Sequence, residues 1–173
     1  RDFCDSLAIA KTDGIVDISQ LEHFIRDDLN QHAFRAMCVI NPIRLFLHNY
    51  DPAKVEILQI PRHPNKTELG FRSVPFSSML LIDRNDFTED SSLSRKKFKR
   101  LVLGDYVRLR GGYVVKAIGV DKNSKGDIEQ INGEIVEDTV GQEPPEGCKP
   151  RGVIHWVSEV HSVNCTIHQY DRL

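Results

Sequence analysis

The chain has 173 residues, 40% of them hydrophobic and 28% charged, with a formal net charge of −2. That length suits one ordinary domain or two small ones, and the composition is that of a soluble globular protein. The overall charge draws no polyanion to the molecule as a whole, so a nucleic-acid site has to be a local patch.

Residues 1–33 read as helical. Arg1 to Ala8 forms a short helix end, and Lys11-Thr12-Asp13-Gly14 a turn. Asp17 or Ser19 caps a second helix, with Glu22 in capping-box position after Ser19. Ile18, Leu21, Phe24, Ile25 and Leu29 fall at helical spacing on one face, a stripe read as packing, and Glu22, Arg26, Asp27 and Asp28 fall largely opposite. From Arg35 onward the pattern turns to short β-type runs, at 37–40, 44–47, 55–60, 79–82, 101–103, 106–110, 113–120, 128–136, 152–157 and 166–170. Residues 122–127 read as a hairpin turn and 142–147 as an exposed loop. Many short strands with regular turn signals predict a barrel or a sandwich.

Charge is segregated along the chain. Residues 95–110 hold seven Lys or Arg against one acid, Asp105, and follow an acidic stretch with Asp83, Asp86, Glu89 and Asp90. Side chains alternate faces along a strand, so Arg108 and Arg110 share a face while Val107 and Leu109 turn to the other. Two guanidinium forks held this way suit phosphates or base edges of a single-stranded loop. The plain alternative is a solvated strand face beside an ordinary core.

Other chemistry is thin. Cys4, Cys38, Cys148 and Cys165 lack CxxC or zinc-finger spacing and read as reduced thiols of a cytoplasmic protein. No run approaches the ~20 apolar residues that span a bilayer, which predicts no membrane partner. No secretory signal opens the chain. The seven histidines are scattered without metal spacing, so no metal site is expected. His155 beside Trp156 reads as a core-strand histidine with a satisfied imidazole. His161 lies near Ser158 and Ser162 without the third partner a triad needs. Gly111-Gly112 reads as a turn or bulge, and Glu143 and Glu146 as solvated. The start at Arg1 and the stop at Leu173 read as those of a piece of a longer protein.

A series of local strings then resembles one family along essentially the whole chain. Arg1-Asp2-Phe3-Cys4 and Ile25-Arg26-Asp27-Asp28-Leu29-Asn30 come first, then Arg35-Ala36-Met37, His63-Pro64-Asn65-Lys66 and Val74-Pro75-Phe76-Ser77. Lys99-Arg100-Leu101-Val102-Leu103-Gly104 follows with Val107-Arg108-Leu109-Arg110. Ile154-His155-Trp156-Val157-Ser158 and Tyr170-Asp171-Arg172-Leu173 close the series. In this order they resemble the C-terminal anticodon-binding region of glutaminyl-tRNA synthetases, the bacterial type in particular.

The resemblance implies a mainly β fold. It has two linked six-stranded β-barrels of ribosomal-protein type behind a short α-helical connector over 1–33. The anticodon-binding region would run over 34–173, with a proximal barrel at about 34–110, a distal barrel at about 111–173 and the C-terminal strands missing. It implies a partner, the anticodon loop of tRNA(Gln), and a monomer that binds no DNA. Arg100 would read the third anticodon base with Lys99 beside it. Arg108 and Arg110 would hold the first base and adjacent phosphates. Arg35, with Asn30 nearby, would contact the middle base and loop backbone, and Asn65 would help read the loop. Lys97 stands where bacterial relatives often carry Gln and is read as a phosphate contact. The family's HIGH-type and KMSKS-type catalytic strings are absent. This chain is thus expected to be a fragment of a class I aminoacyl-tRNA synthetase with no catalytic residue of its own, ATP and magnesium belonging to the parent's catalytic domain. Two rival readings are a stand-alone, non-catalytic RNA-binding β-barrel module and a β-barrel protein-interaction module.

Overall fold

The computed structural model describes residues 2–7, 14–93 and 99–168. The expected Lys11–Gly14 turn lies mostly outside them, and Arg1, Lys97 and the closing Tyr170-Asp171-Arg172-Leu173 string lie wholly outside. The fold is mainly β with two α-helices, α1 (Asp2–Ser6) and α2 (Ile18–His32). The chain divides into two compact units, Arg1–Ala36 with Pro61–Gly70, and Met37–Ile60 with Phe71–Leu173.

In the first unit, α2 begins at Asp17, not Ser19. Asp17 holds an extended backbone and its carboxylate accepts the Ser19 N–H at 2.8 Å, which satisfies one orphan donor of the first turn. Of the apolar stripe, Phe24 is half-buried and meets the Phe3 ring edge-on at 5.9 Å. Ile18, Leu21, Ile25 and Leu29 are exposed, so the stripe read as packing is largely open among the described residues. Length explains this: five residues of α1 span about 7.5 Å, against about 22 Å for α2.

The second unit holds β1 (Pro42–Leu47), β2 (Glu56–Pro61), β3 (Phe71–Phe76), β4 (Met79–Asp83), β5 (Phe87–Thr88), β6 (Leu101–Val102), β7 (Tyr106–Leu109), β8 (Val114–Lys122), β9 (Ile128–Val136), β10 (Val153–Ile154) and β11 (Val157–Ser158). Seven of them form one sheet in the order β10-β7-β8-β9-β1-β4-β11, while β2 with β3 and β5 with β6 form two-stranded sheets. The central β1–β9 pair is parallel and aligns Arg44 with Gln130 and Leu47 with Gly133. Gly133 packs closely there: a Cβ would stand 3.1 Å from Leu45 Cδ1 and from Val115 Cγ1, so either neighbour would have to give way.

The sheet curls. Its two edge strands, β10 and β11, are separated in sequence only by His155 and Trp156. Three Cα steps reach at most ~11 Å, so the edges nearly meet and the sheet forms a half-barrel. Leu45, Leu47, Phe76, Leu80, Ile82, Val107, Leu109, Val115, Ile131 and Trp156 fill the inside. The sheet takes strands from both the 34–110 and the 111–173 stretches.

Most predicted runs are strands. Residues 37–40 are not; at their end the Asp83 carboxylate takes the Ile40 N–H at 3.3 Å and that of the following Asn41 at 3.1 Å. Arg110 belongs to the turn after β7, and the 152–157 run breaks at His155 and Trp156. Residues 166–168 form no strand, and 169–170 lie outside the described residues. The short β5 carries no periodicity and is missed by the sequence, and β3 is legible only in its Val74-Pro75-Phe76 half.

Burial pushes the Asp83 carboxyl up, but N–H donors from Asn85, Asn41 and Ile40 together hold its pKa below the ordinary carboxylate value. A folded-state pKa below the unfolded one means stability present above the unfolded value and lost as pH falls through the folded one. Asp83→Asn should therefore flatten the loss of stability below about pH 4, measured by urea unfolding across the acid range. Trp156 is fully buried, so Trp156→Ala should cost about 3–5 kcal/mol in the same measurement.

Candidate nucleic-acid interface

In the first unit, three residues singled out from sequence gather around one that was not. His63 is 2% exposed. Its Nε2 lies 2.7 Å from the Asn30 carbonyl oxygen, and its Nδ1 lies 3.2 Å from the Asn65 N–H nitrogen. A carbonyl only accepts and an amide N–H only donates, so the ring is neutral with its proton on Nε2. Arg35 Nη2 donates to Asn30 Oδ1 at 2.9 Å and to the Asn30 carbonyl at 3.3 Å. Asn30, Arg35 and Asn65 are thereby fixed to one another. Arg35 and Asn65 stay exposed, and the Asn30 side-chain oxygen is occupied by Arg35. The Arg62 guanidinium stacks over the Phe34 ring at 5.4 Å. The missed signal for His63 is the His-Pro-Asn string itself, which places a ring two residues before the amide it must hold.

In the second unit, cations collect where β6, β7 and β10 run side by side. Val107 and Leu109 are fully buried, which leaves Arg108 and Arg110 on the opposite face, as alternation predicts. Their fates differ. Arg108 is half-buried, and its Nη1 and Nη2 donate to the carbonyls of Thr139 at 2.6 Å and Gln142 at 2.7 Å. Its fork is engaged in clamping the loop after β9. Arg110 is exposed; its N–H donates to the Ile154 carbonyl at 3.0 Å and its own carbonyl accepts Trp156 Nε1 at 3.0 Å.

Lys99 is exposed and lies against Gly152, where a Cβ would stand 2.9 Å from Lys99 Cβ. The Gly152 carbonyl accepts the Arg108 N–H at 2.9 Å, so Lys99 comes to the same strand edge as Arg108. Arg100 is half-buried and directly precedes β6. The parallel β5–β6 register aligns Phe87 with Leu101, which places Asp86 beside Arg100. Burial first, and then Asp83, push the Asp86 carboxyl up, while the Arg100 charge draws it down. Lys97 lies outside the described residues.

Other clusters are structural. Ser77 Oγ and Ser158 Oγ lie 2.9 Å apart, and Ser158 Oγ lies 2.9 Å from His161 Nδ1. The serine's second neighbour is another serine, not the carboxylate-oriented base a nucleophile needs. The Tyr113 and Tyr50 hydroxyls both donate to Glu56 Oε2, at 2.7 and 3.3 Å. Burial and that carboxylate push Tyr50 up to about 12. All four cysteines are free thiols. Among the described residues no cluster of His, Cys, Asp or Glu has the makings of a metal site, and no helix is long and apolar enough to cross a membrane.

Residues 33–136 match the family model for the anticodon-binding domain of class I tRNA synthetases for E and Q. Over its full 173 residues the chain is 46% identical to glutamine–tRNA ligase of Aliivibrio fischeri, covering 31% of that protein. It is 46% identical to the Pseudoalteromonas atlantica ligase, covering 30%, and 46% to that of Citrobacter koseri, covering 31%. The chain thus spans about a third of the length of these curated relatives.

His63→Ala removes the ring that joins Asn30 to Asn65 by hydrogen bonds on both its nitrogens. It should cost about 1–3 kcal/mol through the unsatisfied backbone groups it leaves. The Asn65 amide should then exchange with solvent faster, read by amide hydrogen exchange.

Proposed function

Because the chain belongs to the anticodon-binding family of class I glutamyl- and glutaminyl-tRNA synthetases, we propose that it grips the anticodon loop of tRNA(Gln) on behalf of a glutamine–tRNA ligase. The parent joins glutamine to its tRNA with ATP and magnesium in a catalytic domain of its own. Recognition in this chain needs no cofactor. The protein acts as a cytoplasmic monomer that binds no DNA.

The observation that supports this reading is the strand edge that carries Lys99, Arg100 and Arg110 on a molecule whose net charge is negative. The Arg110 backbone is held by Ile154, which fixes where that side chain starts from the sheet. An Arg fork matches the O6 and N7 acceptors of guanine, and unstacked loop bases expose those edges. Arg100 reads the third anticodon base with Lys99 and Lys97 on adjacent phosphates. Arg110 holds the first base and its phosphate, and Arg108 serves it by bracing the neighbouring loop. In the other unit Arg35 contacts the middle base, with Asn30 orienting its guanidinium and Asn65 reading the loop backbone. For the two linked six-stranded barrels that the resemblance implies, the curled sheet supplies a wall running through both residue ranges.

Arg100→Ala, placed in the full-length protein, should weaken tRNA(Gln) binding and reduce discrimination at the third anticodon base by about 1–3 kcal/mol. Filter binding with anticodon-variant tRNAs at several salt concentrations measures both. Unchanged discrimination at that base rejects the role of Arg100.

A further inference from the structure

Phe34 stands 61% exposed, between Ala33, which caps α2 with an extended backbone, and Arg35. A single exposed apolar side chain is ordinary on a protein surface. This one already has a partner of particular chemistry. The Arg62 guanidinium lies over its ring, 5.4 Å from the centroid, as a cation on an aromatic face. With Arg62 on one face and most of the residue exposed, the other side of the ring stays open.

The stem of that arginine is fixed by backbone. The Arg62 carbonyl accepts the Arg35 N–H at 2.7 Å, and the Arg62 N–H donates to the Gly70 carbonyl at 3.0 Å. The next residue is His63, whose buried ring joins the Asn30 carbonyl to the Asn65 N–H. Arg35 in turn gives its Nη2 to Asn30 Oδ1 at 2.9 Å. Arg62 is thus part of one hydrogen-bonded cluster with Asn30, Arg35 and Asn65, and the Phe34 ring lies at its rim. All of these residues belong to the first unit. Residues 33–36 and 61–70 carry Arg35, Arg62 and Lys66 against one acid, Glu68, so the surroundings of the ring favour an anion. A flat apolar face, a planar cation and anchored amides are the set that holds unstacked bases: planes take the base faces, and donors take edges and phosphates.

We propose that the Phe34 ring, backed by the Arg62 guanidinium, is a stacking platform for one splayed nucleobase of the tRNA loop, next to the base that Arg35 contacts. The platform rests on the tRNA-binding reading above and extends it to two residues given no role there. The base covers the open side of Phe34, and Arg62 brings positive charge to the adjoining phosphate. Stacking on a protein ring replaces stacking on the neighbouring base, which leaves that neighbour's edge accessible to Arg35. Every base has a π-face, so Phe34 adds affinity without choosing among bases.

The test is filter binding of tRNA(Gln) and anticodon-variant tRNAs to the full-length protein at several salt concentrations. Phe34→Ala should weaken binding by about 5- to 150-fold, equally for all of them, with the salt slope unchanged. Phe34→Leu keeps an apolar side chain without a π-face and should lose as much. Phe34→Trp should bind as wild type does, and its added fluorescence should fall when tRNA(Gln) is bound. Arg62→Gln should lower the slope of log K against log salt by about one. Wild-type affinity in Phe34→Leu overturns the stacking, as does a Phe34→Trp emission that ignores tRNA. A Phe34→Ala loss confined to one anticodon variant overturns the indifference to base. If Phe34→Ala lowers the urea midpoint of the free protein and leaves tRNA affinity alone, the ring is covered by another part of the longer protein and the platform is wrong. If Arg100→Ala alters base discrimination while Phe34→Ala changes no affinity, the platform falls and the tRNA reading stands. If tRNA(Gln) fails to bind wild type at all, the tRNA reading itself falls.

Discussion

Trp156 closes the sheet, and the placement of the cations follows from that closure. The link between the two edge strands contains only two residues, so one of them has to fill the gap as the edges approach. Trp156 does so, fully buried and edge-to-face with Phe76 at 5.2 Å. A buried indole N–H needs an acceptor, and the Arg110 carbonyl supplies it. With its own N–H already given to Ile154, Arg110 has its backbone held from both sides. Its side chain, on the face opposite Val107 and Leu109, is left to solvent. A core-packing requirement thereby sets the position of an exposed charge.

The same economy explains why neighbouring arginines on one strand behave differently. The loop after β9 leaves the sheet ladder, and Asp138 takes a left-handed conformation with φ 56°. Carbonyls at Thr139 and Gln142 are left without ladder partners, and the Arg108 fork meets both. Thr139 completes the arrangement: fully buried, its Oγ1 accepts the Val114 N–H and donates to the Val136 carbonyl. A cation used this way brings its positive charge to the strand edge while its donors stay within the protein. At that edge the Lys99 side chain packs on Gly152, where a Cβ would stand 2.9 Å from Lys99 Cβ.

Much of this was legible in the residues. The β8–β9 hairpin was readable because its two strands are long and its turn carries Asn123 and Gly126, the latter at φ 87°. The start of α2 was narrowed to two caps, and only the coordinates choose Asp17. Met37–Ile40 misled, since its apolar run has strand character but finds no partner strand, and at its end a distant carboxylate takes the Ile40 N–H. The stripe on α2 misled differently: helical periodicity shows that a face is apolar, but not that anything covers it. Asn30, Arg35 and Asn65 were found through resemblance, whereas His63, which holds two of them, stood in one of the same strings without a role, because a His-Pro-Asn run does not say what its ring nitrogens meet.

The sequence by itself determined where most strands and helices lie, that the positive charge is concentrated over a short span, and which family the chain resembles. Periodicity, turn residues and motif strings are local, and they survive without a fold. Only the tertiary structure decided which arginine is clamped and which is open, because the acceptors of Arg108 stand 31 and 34 residues away.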